Sequence, residues 1–246
     1  MSAPRLDVSL PMTPARAAWR RFTRLTLSEL RFAAKYGIVA LYGLITVLYL
    51  LILFWTNPSA RLAAGGVIIL SDPAAMGLFF MGAMVLLEKS QRVNCALAVS
   101  PVRVGEYIAA KAVALMALGL VVALAVATVA GNPPVGVAIS VGLGSLLFSM
   151  LGIIAACVCQ SLNQFLLLSI PIELVAFTPA LFFWFGGLHS PLWLVMPGVA
   201  GIVLMGNDTA LWLPAALSLL LWNACVYLLC RRVVRGYFDR LGGGKL

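Results

Sequence analysis

Charged side chains are scarce in this sequence: Asp, Glu, Lys and Arg make up only 10% of its 246 residues. Hydrophobic residues make up 63%, and the mean hydropathy is +1.05. A soluble domain keeps far more charge on its surface, so this composition excludes that class of protein. Runs of about twenty apolar residues can cross a bilayer as helices, and an all-α integral membrane protein is therefore expected.

Residues that carry catalysis are equally scarce. His189 is the only histidine, and the sequence contains no GxSxG, HExxH or paired-aspartate motif. The phosphate-binding GxxxxGK[ST] motif is also missing, so the chain is not expected to hydrolyse ATP by itself. Cys157 and Cys159 have no third thiol or histidine nearby and are expected to be small apolar residues at a helix end. We expect no catalytic, cofactor-binding or metal-binding residue, and no enzyme.

Six apolar segments divide the chain into regions. The predicted spans lie at about 36–55, 67–87, 112–130, 135–159, 165–185 and 211–230, and together they form a transmembrane domain over 36–230. A polar segment, 88–111, separates the second and third spans. Residues 1–35 form an N-terminal arm, and residues 231–246 form a basic tail. The arm has no apolar core of signal-peptide length, so we expect the first span to be retained.

Basic residues fall almost entirely in three of these regions. The arm carries seven, the 88–111 segment four and the tail five. Arg61 is the only basic residue in the loops that follow the first, third and fifth spans, which lie on the opposite side of the membrane. Lys and Arg concentrate on the cytoplasmic side of membrane proteins, so both termini are expected in the cytoplasm. The expected location is the plasma membrane, of the bacterial inner-membrane type. This distribution also indicates that the net charge of +9 does not serve nucleic-acid binding.

The arm contains a candidate amphipathic helix that begins near Ala15. Arg20 and Arg24 fall on one stripe of such a helix, and Trp19 and Phe22 fall largely on another. That pattern is typical of a helix that lies in the membrane interface, with its apolar face among the headgroups. The alternative is that these residues form the solvated start of the first span.

The segment between the fifth and sixth spans, 186–210, carries no Lys or Arg. Pro191 to Met205 is apolar but only about half a membrane thick, and Pro197-Gly198 interrupts it. Apolar segments of this length that are broken in this way are typical of re-entrant elements, which protein must bury. We therefore expect a half-membrane outer re-entrant segment before the last span.

Glu173 is a single carboxylate close to the middle of the fifth span. An ionised side chain there costs roughly 2.5–3.5 kcal/mol on insertion scales, so it should face the bundle interior or a cavity. One interpretation places it in the lining of a translocation path. The other gives it a structural role, bonded to a neighbouring helix through Asn223 or to a backbone carbonyl freed by Pro171. We include Asn223 as a second candidate path residue.

The 88–111 segment is the most polar part of the central chain. Glu88, Lys89 and Arg92 have helical spacing, which would allow a Glu88–Arg92 pair on one face. Ser100-Pro101 should break the helix, because a residue before proline avoids the helical region, and a second helix starts near Glu106. A helix, a break and a helix could act as a lever that transmits force. The alternative is an ordinary cytoplasmic loop with snorkelling cations.

Residues 77–92 (GLFFMGAMVLLEKSQR) and 97–103 (LAVSPVR), followed by Glu106-Tyr107 and Ala110-Lys111, resemble ABC-2 type transporter permeases, which are type V exporter-like. The resemblance is greatest to the fluoroquinolone-export-like branch, although Val93-Asn94 stands where that family often has a Gly-Thr-like pair. It implies six spans, an N-terminal interfacial helix, a separate ATPase subunit and a dimer. By this match the ATPase-coupling residues are Glu88, Lys89, Arg92, Ser100, Pro101 and Glu106.

The resemblance and the composition together predict a permease subunit of an ATP-driven exporter. ATP and Mg²⁺ would bind only the partner ATPase, and a second permease copy or a paralogue would complete the dimer. The sparsely charged spans favour a hydrophobic or amphipathic small-molecule substrate, such as a drug, a natural product or a lipid-like compound. Two alternatives stay open: a proton-coupled secondary transporter that uses Glu173, and a membrane scaffold that transports nothing.

Overall fold

A computed structural model describes residues 14–71, 76–93, 102–186 and 190–241. Within these ranges the chain is helical and forms no strand. The helices are α1 (Pro14–Lys35), α2 (Ile38–Trp55), α3 (Pro58–Ile69), α4 (Met76–Ser90), α5 (Val104–Ala130), α6 (Pro134–Val158), α7 (Leu162–Trp184), α8 (Pro197–Leu204) and α9 (Trp212–Leu241). Short 3₁₀ helices at Pro191–Val195 and Thr209–Leu211 precede α8 and α9.

Five of the described helices, α2, α5, α6, α7 and α9, are long and apolar enough to cross a membrane. The expected multi-pass, all-α membrane protein is therefore confirmed. The predicted second span, 67–87, comprises the end of α3 and most of α4, with residues 72–75 outside the described ranges. α4 has 15 residues, and a helix of that size is roughly 22 Å long, shorter than a bilayer core of about 30 Å. The sixth span stays a prediction.

α6 is the central helix of the bundle and packs against α4, α5 and α9. Glycine makes its contact with α4 close: a Cβ on Gly152 would lie 2.5 Å from the carbonyl oxygen of Leu78. Leu78, Met81 and Ile153 are fully buried where these helices meet. By contrast, large apolar side chains such as Leu44 on α2 face outward, as expected for helices whose surroundings are lipid.

The predicted break in the outer segment is present. A 3₁₀ helix ends at Val195, and α8 begins at Pro197, where the missing N–H of proline is tolerated. Every residue from Gly198 to Leu204 is buried, and the Ser140 hydroxyl of α6 donates a hydrogen bond of 2.8 Å to the carbonyl oxygen of Gly201. A buried eight-residue helix is what a re-entrant segment needs, and its depth in the membrane stays a prediction.

Helix ends meet at two opposite ends of the bundle. At one end, the Asn132 side chain follows α5 and donates hydrogen bonds to the carbonyl oxygens of Leu62 in α3 and Met205 after α8. Gly131, with φ of +83°, ends α5 there in the left-handed conformation that glycine adopts at helix ends. Arg61 lies at this end and bonds the carbonyl oxygen of Thr56, just after α2.

The other end, the basic end, gathers α1, the last turn of α4, the first turns of α5, the last turn of α6 and the last turns of α9. α5 starts at Val104, close to the helix start expected near Glu106 and eight residues before the predicted span 112–130. α9 extends further than predicted, because it continues past Cys230 as one helix to Leu241. Gly37, with φ of +76°, separates α1 from α2, so the helix of the arm is distinct from the first span.

Candidate functional site

A lysine and two carboxylates are buried together at the basic end. The Lys111 side chain is fully buried in α5, and its Nζ donates hydrogen bonds to Glu29 Oε2 at 2.9 Å and to Glu88 Oε1. The Tyr107 hydroxyl, one turn earlier on α5, donates to Glu88 Oε2 at 3.2 Å. We call Glu29, Glu88, Tyr107 and Lys111 the ion cluster. It joins three helices, because Glu29 belongs to α1 and Glu88 to α4.

Charge explains why this cluster holds the helices together. An ionised group buried away from water is costly unless it is paired and hydrogen-bonded. Lys111 meets this condition only if α1 and α4 each place a carboxylate against the same point of α5. The cluster therefore specifies how α1, α4 and α5 are arranged relative to one another, which apolar packing alone does more loosely.

A second ion pair ties α1 to the start of α5. Arg21 donates from Nε and Nη2 to the two carboxylate oxygens of Glu106, at 3.2 and 3.0 Å. Glu106 Oε2 also accepts the backbone N–H of Arg103, at 3.4 Å, at the first turn of α5. The hydrogen bond with Glu106 raises the pKa of the Arg21 guanidinium above its ordinary value. This pair is partly exposed, so water screens it and it contributes little to stability.

Lys89 fixes the end of α4 to the end of α6. Its Nζ donates hydrogen bonds to the carbonyl oxygens of Ala156, Cys157 and Cys159, at 2.7, 3.1 and 2.9 Å. It also lies 4.9 Å from the ring centroid of Tyr237 on α9. The last carbonyls of a helix have no donor within the helix and carry partial negative charge. The Lys89 ammonium group supplies both the hydrogen-bond donors and a compensating positive charge.

The expected Glu88–Arg92 pair is wrong. α4 ends at Ser90, and Arg92 has a φ of +57°, so residues 88 and 92 do not share a helical face. Glu88 points inward to Lys111 instead, and Arg92 is exposed. Ser100 and Pro101 lie outside the described residues.

Glu173 and Asn223 are not brought together. The Asn223 side chain donates instead to the carbonyl oxygens of Leu143 and Leu219, at 3.0 and 2.8 Å, so the alternative in which it bonds Glu173 is not what the structure shows. The Glu173 side chain is half-buried on α7, and no hydrogen bond or ion pair to it is found within the described ranges.

The residues predicted for the interfacial helix all lie on α1. Trp19, Arg20 and Arg24 are exposed, and Phe22 is half-buried with its ring centroid 5.8 Å from that of Trp19. Arg21, on the side of α1 that contacts α5, donates to Glu106. Both polar and apolar contacts therefore hold α1 in place. Its position in the headgroup region stays a prediction.

No protein-family model matches the chain. Two curated proteins are similar to it, both called fluoroquinolones export permease protein, from two strains of Mycobacterium tuberculosis. Each is 28% identical over 163 residues, which cover 65% of this chain and 69% of the relative. The chain is similar to export permeases. This distant similarity supports a transporter permease and, at the family level, agrees with the ABC-2 type resemblance.

The sequence did not reveal the partners in the ion cluster. Glu29 is not among the predicted site residues, and the family motif includes Lys111 without indicating a partner for it. One signal was available: Lys111 follows Tyr107 by one helical turn and leads directly into an uncharged stretch. A lysine at the edge of a predicted span either extends to the interface or pairs with a group of another helix. Glu29, the only carboxylate between residues 8 and 71, was a candidate for that partner.

Proposed function

We propose that this chain is the permease subunit of an ABC exporter, which moves a hydrophobic or amphipathic substrate out of the cytoplasm. A separate ATPase subunit binds ATP and Mg²⁺ and supplies the energy. A second copy of the chain, or a paralogue, completes the transport unit. The observation that carries this proposal is the ion cluster, because it joins α1 and α5 to Glu88 in the segment that resembles the coupling region of ABC-2 permeases.

In this proposal the coupling residues have two different tasks. Glu88, Lys89 and Glu106 act as positioning residues, since each is bonded to another helix of the same chain. Arg92 is exposed at the end of α4 and is available to the ATPase subunit. Force applied to the 88–111 segment would then move α1, α4 and α5 together and switch access to the substrate path.

The basic end would face the cytoplasm in this arrangement. The described basic residues of the arm, of α4 and α5 and of α9 belong to it, whereas Arg61 belongs to the opposite end. Positive charge that is concentrated on one side of a membrane protein is typical of the cytoplasmic side. The ATPase subunit, which needs cytoplasmic ATP, would dock on this end.

A cavity in the apolar part of the bundle supports the substrate class. It has a volume of about 460 Å³ and lies between α6, α7, α9 and the start of α8. Its lining residues are almost entirely aliphatic or aromatic: Leu147, Phe148, Leu151, Pro171, Ile172, Val175, Ala176, Met196, Pro197, Trp222 and Val226. A mainly apolar cavity of this size suits a small amphipathic molecule. Because the similar proteins are named for fluoroquinolone export, a fluorescent fluoroquinolone is the first probe to use.

Glu173 supports a second candidate function, a proton-coupled carrier. A half-buried carboxylate in an apolar helix without a described partner could take up and release a proton. The two candidates differ in their energy source and in their dependence on that carboxylate. A scaffold that transports nothing would fail both tests.

Transport in everted membrane vesicles distinguishes these candidates. We expect ATP to drive fluoroquinolone accumulation in vesicles that contain this chain and its ATPase, with vanadate blocking it and a protonophore sparing it. Glu173→Gln keeps the size of the side chain and removes its proton exchange. It should therefore change the rate of ATP-driven uptake by less than about threefold, a difference below 1 kcal/mol.

The matched control is Asp208→Asn, which removes an exposed carboxylate at the opposite end of the bundle. Uptake that survives vanadate, stops with the protonophore and is abolished by Glu173→Gln but not by Asp208→Asn would replace the proposal with the proton-coupled carrier.

A further inference from the structure

Three arginines line one cavity at the basic end of the bundle. This arginine cavity, with a volume of about 670 Å³, lies between the start of α5 and the last turns of α9. Arg103 contributes from the residue before α5, and Arg231 and Arg235 contribute from successive turns of α9. Tyr227, one turn before Arg231, also lines it.

The cavity has more positive charge than its own carboxylate can balance. Glu106 is its only acidic lining residue, and both oxygens of that carboxylate already accept hydrogen bonds from Arg21. Arg231 and Arg235 form no ion pair within the described part of the chain. Guanidinium groups that line one cavity repel one another in the absence of an anion, and their planar donors match a phosphate group.

The start of α5 adds further donors to the same cavity. Val104 and Gly105 are the first residues of a 27-residue helix, and the first backbone N–H groups of a helix have no acceptor within it. Gly105 brings the backbone close to α9, because a Cβ there would lie 3.0 Å from the Tyr227 hydroxyl. Charged groups, helix amides and a hydroxyl thus converge from two elements.

We propose that the arginine cavity binds the phosphate of an anionic phospholipid. Its position favours a lipid over a soluble anion. The uncharged part of α9 ends at Cys230, and the exposed Leu228 lies next to Arg231 and Arg235 in an adjoining cavity of about 270 Å³. A headgroup held by the arginines would leave its acyl chains along the exposed apolar surface of α9, at the depth where basic side chains normally meet headgroups.

Bound lipid would also stabilise the start of α5, which carries Glu106 and, two turns later, Lys111. The site would therefore connect membrane composition to the ion cluster. This inference does not depend on what the protein transports or on how transport is powered.

Lipid titration of the purified full-length chain in detergent, followed by native mass spectrometry, tests the proposal. We expect phosphatidylglycerol to bind at least tenfold more tightly than zwitterionic phosphatidylcholine. Loss of one charged hydrogen-bonding partner should weaken phosphatidylglycerol binding about tenfold in Arg235→Gln. Arg235→Lys keeps the charge but not the planar set of donors, so its affinity for phosphatidylglycerol should lie between those of the wild type and Arg235→Gln. The matched control, Arg240→Gln, removes an exposed arginine of the same helix outside the cavity and should change binding less than twofold.

A third arm adds inorganic phosphate at millimolar concentration. Retention of phosphatidylglycerol in that buffer supports a phospholipid as the ligand. Complete displacement of the lipid would show that the site takes a soluble phosphate instead. Equal binding of both lipids, or equal losses in Arg235→Gln and Arg240→Gln, would overturn the proposal. So would unchanged lipid binding in Arg235→Gln together with loss of the ATPase subunit from that variant, since the cavity would then be a protein contact.

Discussion

Lys111→Met is expected to destabilise the protein by about 3–5 kcal/mol, the largest effect of any single substitution at the basic end. Methionine fills a similar volume but leaves the buried carboxylates of Glu29 and Glu88 facing each other without a cation. The midpoint of thermal unfolding in detergent should fall by roughly 10 °C. Loss of the Lys111–Glu29 pair should also weaken the contact of α1 with α5. A protease should then cleave the chain between α1 and α2 more readily than in the wild type.

A compensating variant separates charge from packing. Glu29→Gln/Glu88→Gln/Lys111→Met removes all three charges and should recover most of the lost stability, because a buried ion group can often be replaced by uncharged groups of similar size. Lys35→Met, which removes an exposed lysine of α1, is the matched control and should cost less than about 1 kcal/mol. Equal stability of Lys111→Met and Lys35→Met would show that the ion cluster does not hold these helices together.

Gly152→Ala is expected to have the second large effect, a loss of about 3 kcal/mol. The new Cβ would lie 2.5 Å from the Leu78 carbonyl oxygen and 3.1 Å from the Met81 Cβ, so α4 would have to move away from α6. Because backbone is the closest neighbour, a change of rotamer cannot relieve the contact. The hydrogen bonds from Lys89 to the end of α6 depend on the same separation.

Gly142→Ala is the matched control for that substitution. Gly142 lies on the same helix, and a Cβ there would meet no atom within 4 Å. Alanine should stabilise the helix by as much as about 1 kcal/mol at that position. Thermal unfolding of the two variants side by side gives the comparison. A Gly152→Ala protein as stable as Gly142→Ala would mean that α4 and α6 are not packed as closely as described.

Much of the fold could be predicted from apolar length alone. The long apolar segments form α2, α6 and α7 with ends close to those expected, because a bilayer fixes the length of a spanning helix. Proline placed the break before α8 correctly. α5 begins at Val104, two residues before the predicted helix start near Glu106, whereas the uncharged span was predicted to begin only after Lys111. Pairing with two carboxylates allows that lysine to be buried inside the helix.

The site was harder to predict for a related reason. The sequence suggested a pair between Glu88 and Arg92 on one helical face, because residue spacing describes only contacts within one helix. The contacts that matter here join residues 82 and 23 positions apart, Glu29 with Lys111 and Glu88 with Lys111, and only packing of α1, α4 and α5 brings them together. Lys89 likewise bonds carbonyl oxygens of α6 that carry no distinguishing sequence signal.

Copurification of tagged chain from its native membrane tests the proposed partnership with an ATPase most directly. We predict a Walker-type ATPase subunit in stoichiometric amount, with ATPase activity in the eluate. Arg92→Gln should reduce its recovery severalfold while leaving the stability of the permease unchanged, and Arg61→Gln, at the opposite end of the bundle, should not. Recovery of the intact, folded chain from that membrane with no ATPase subunit would contradict the account.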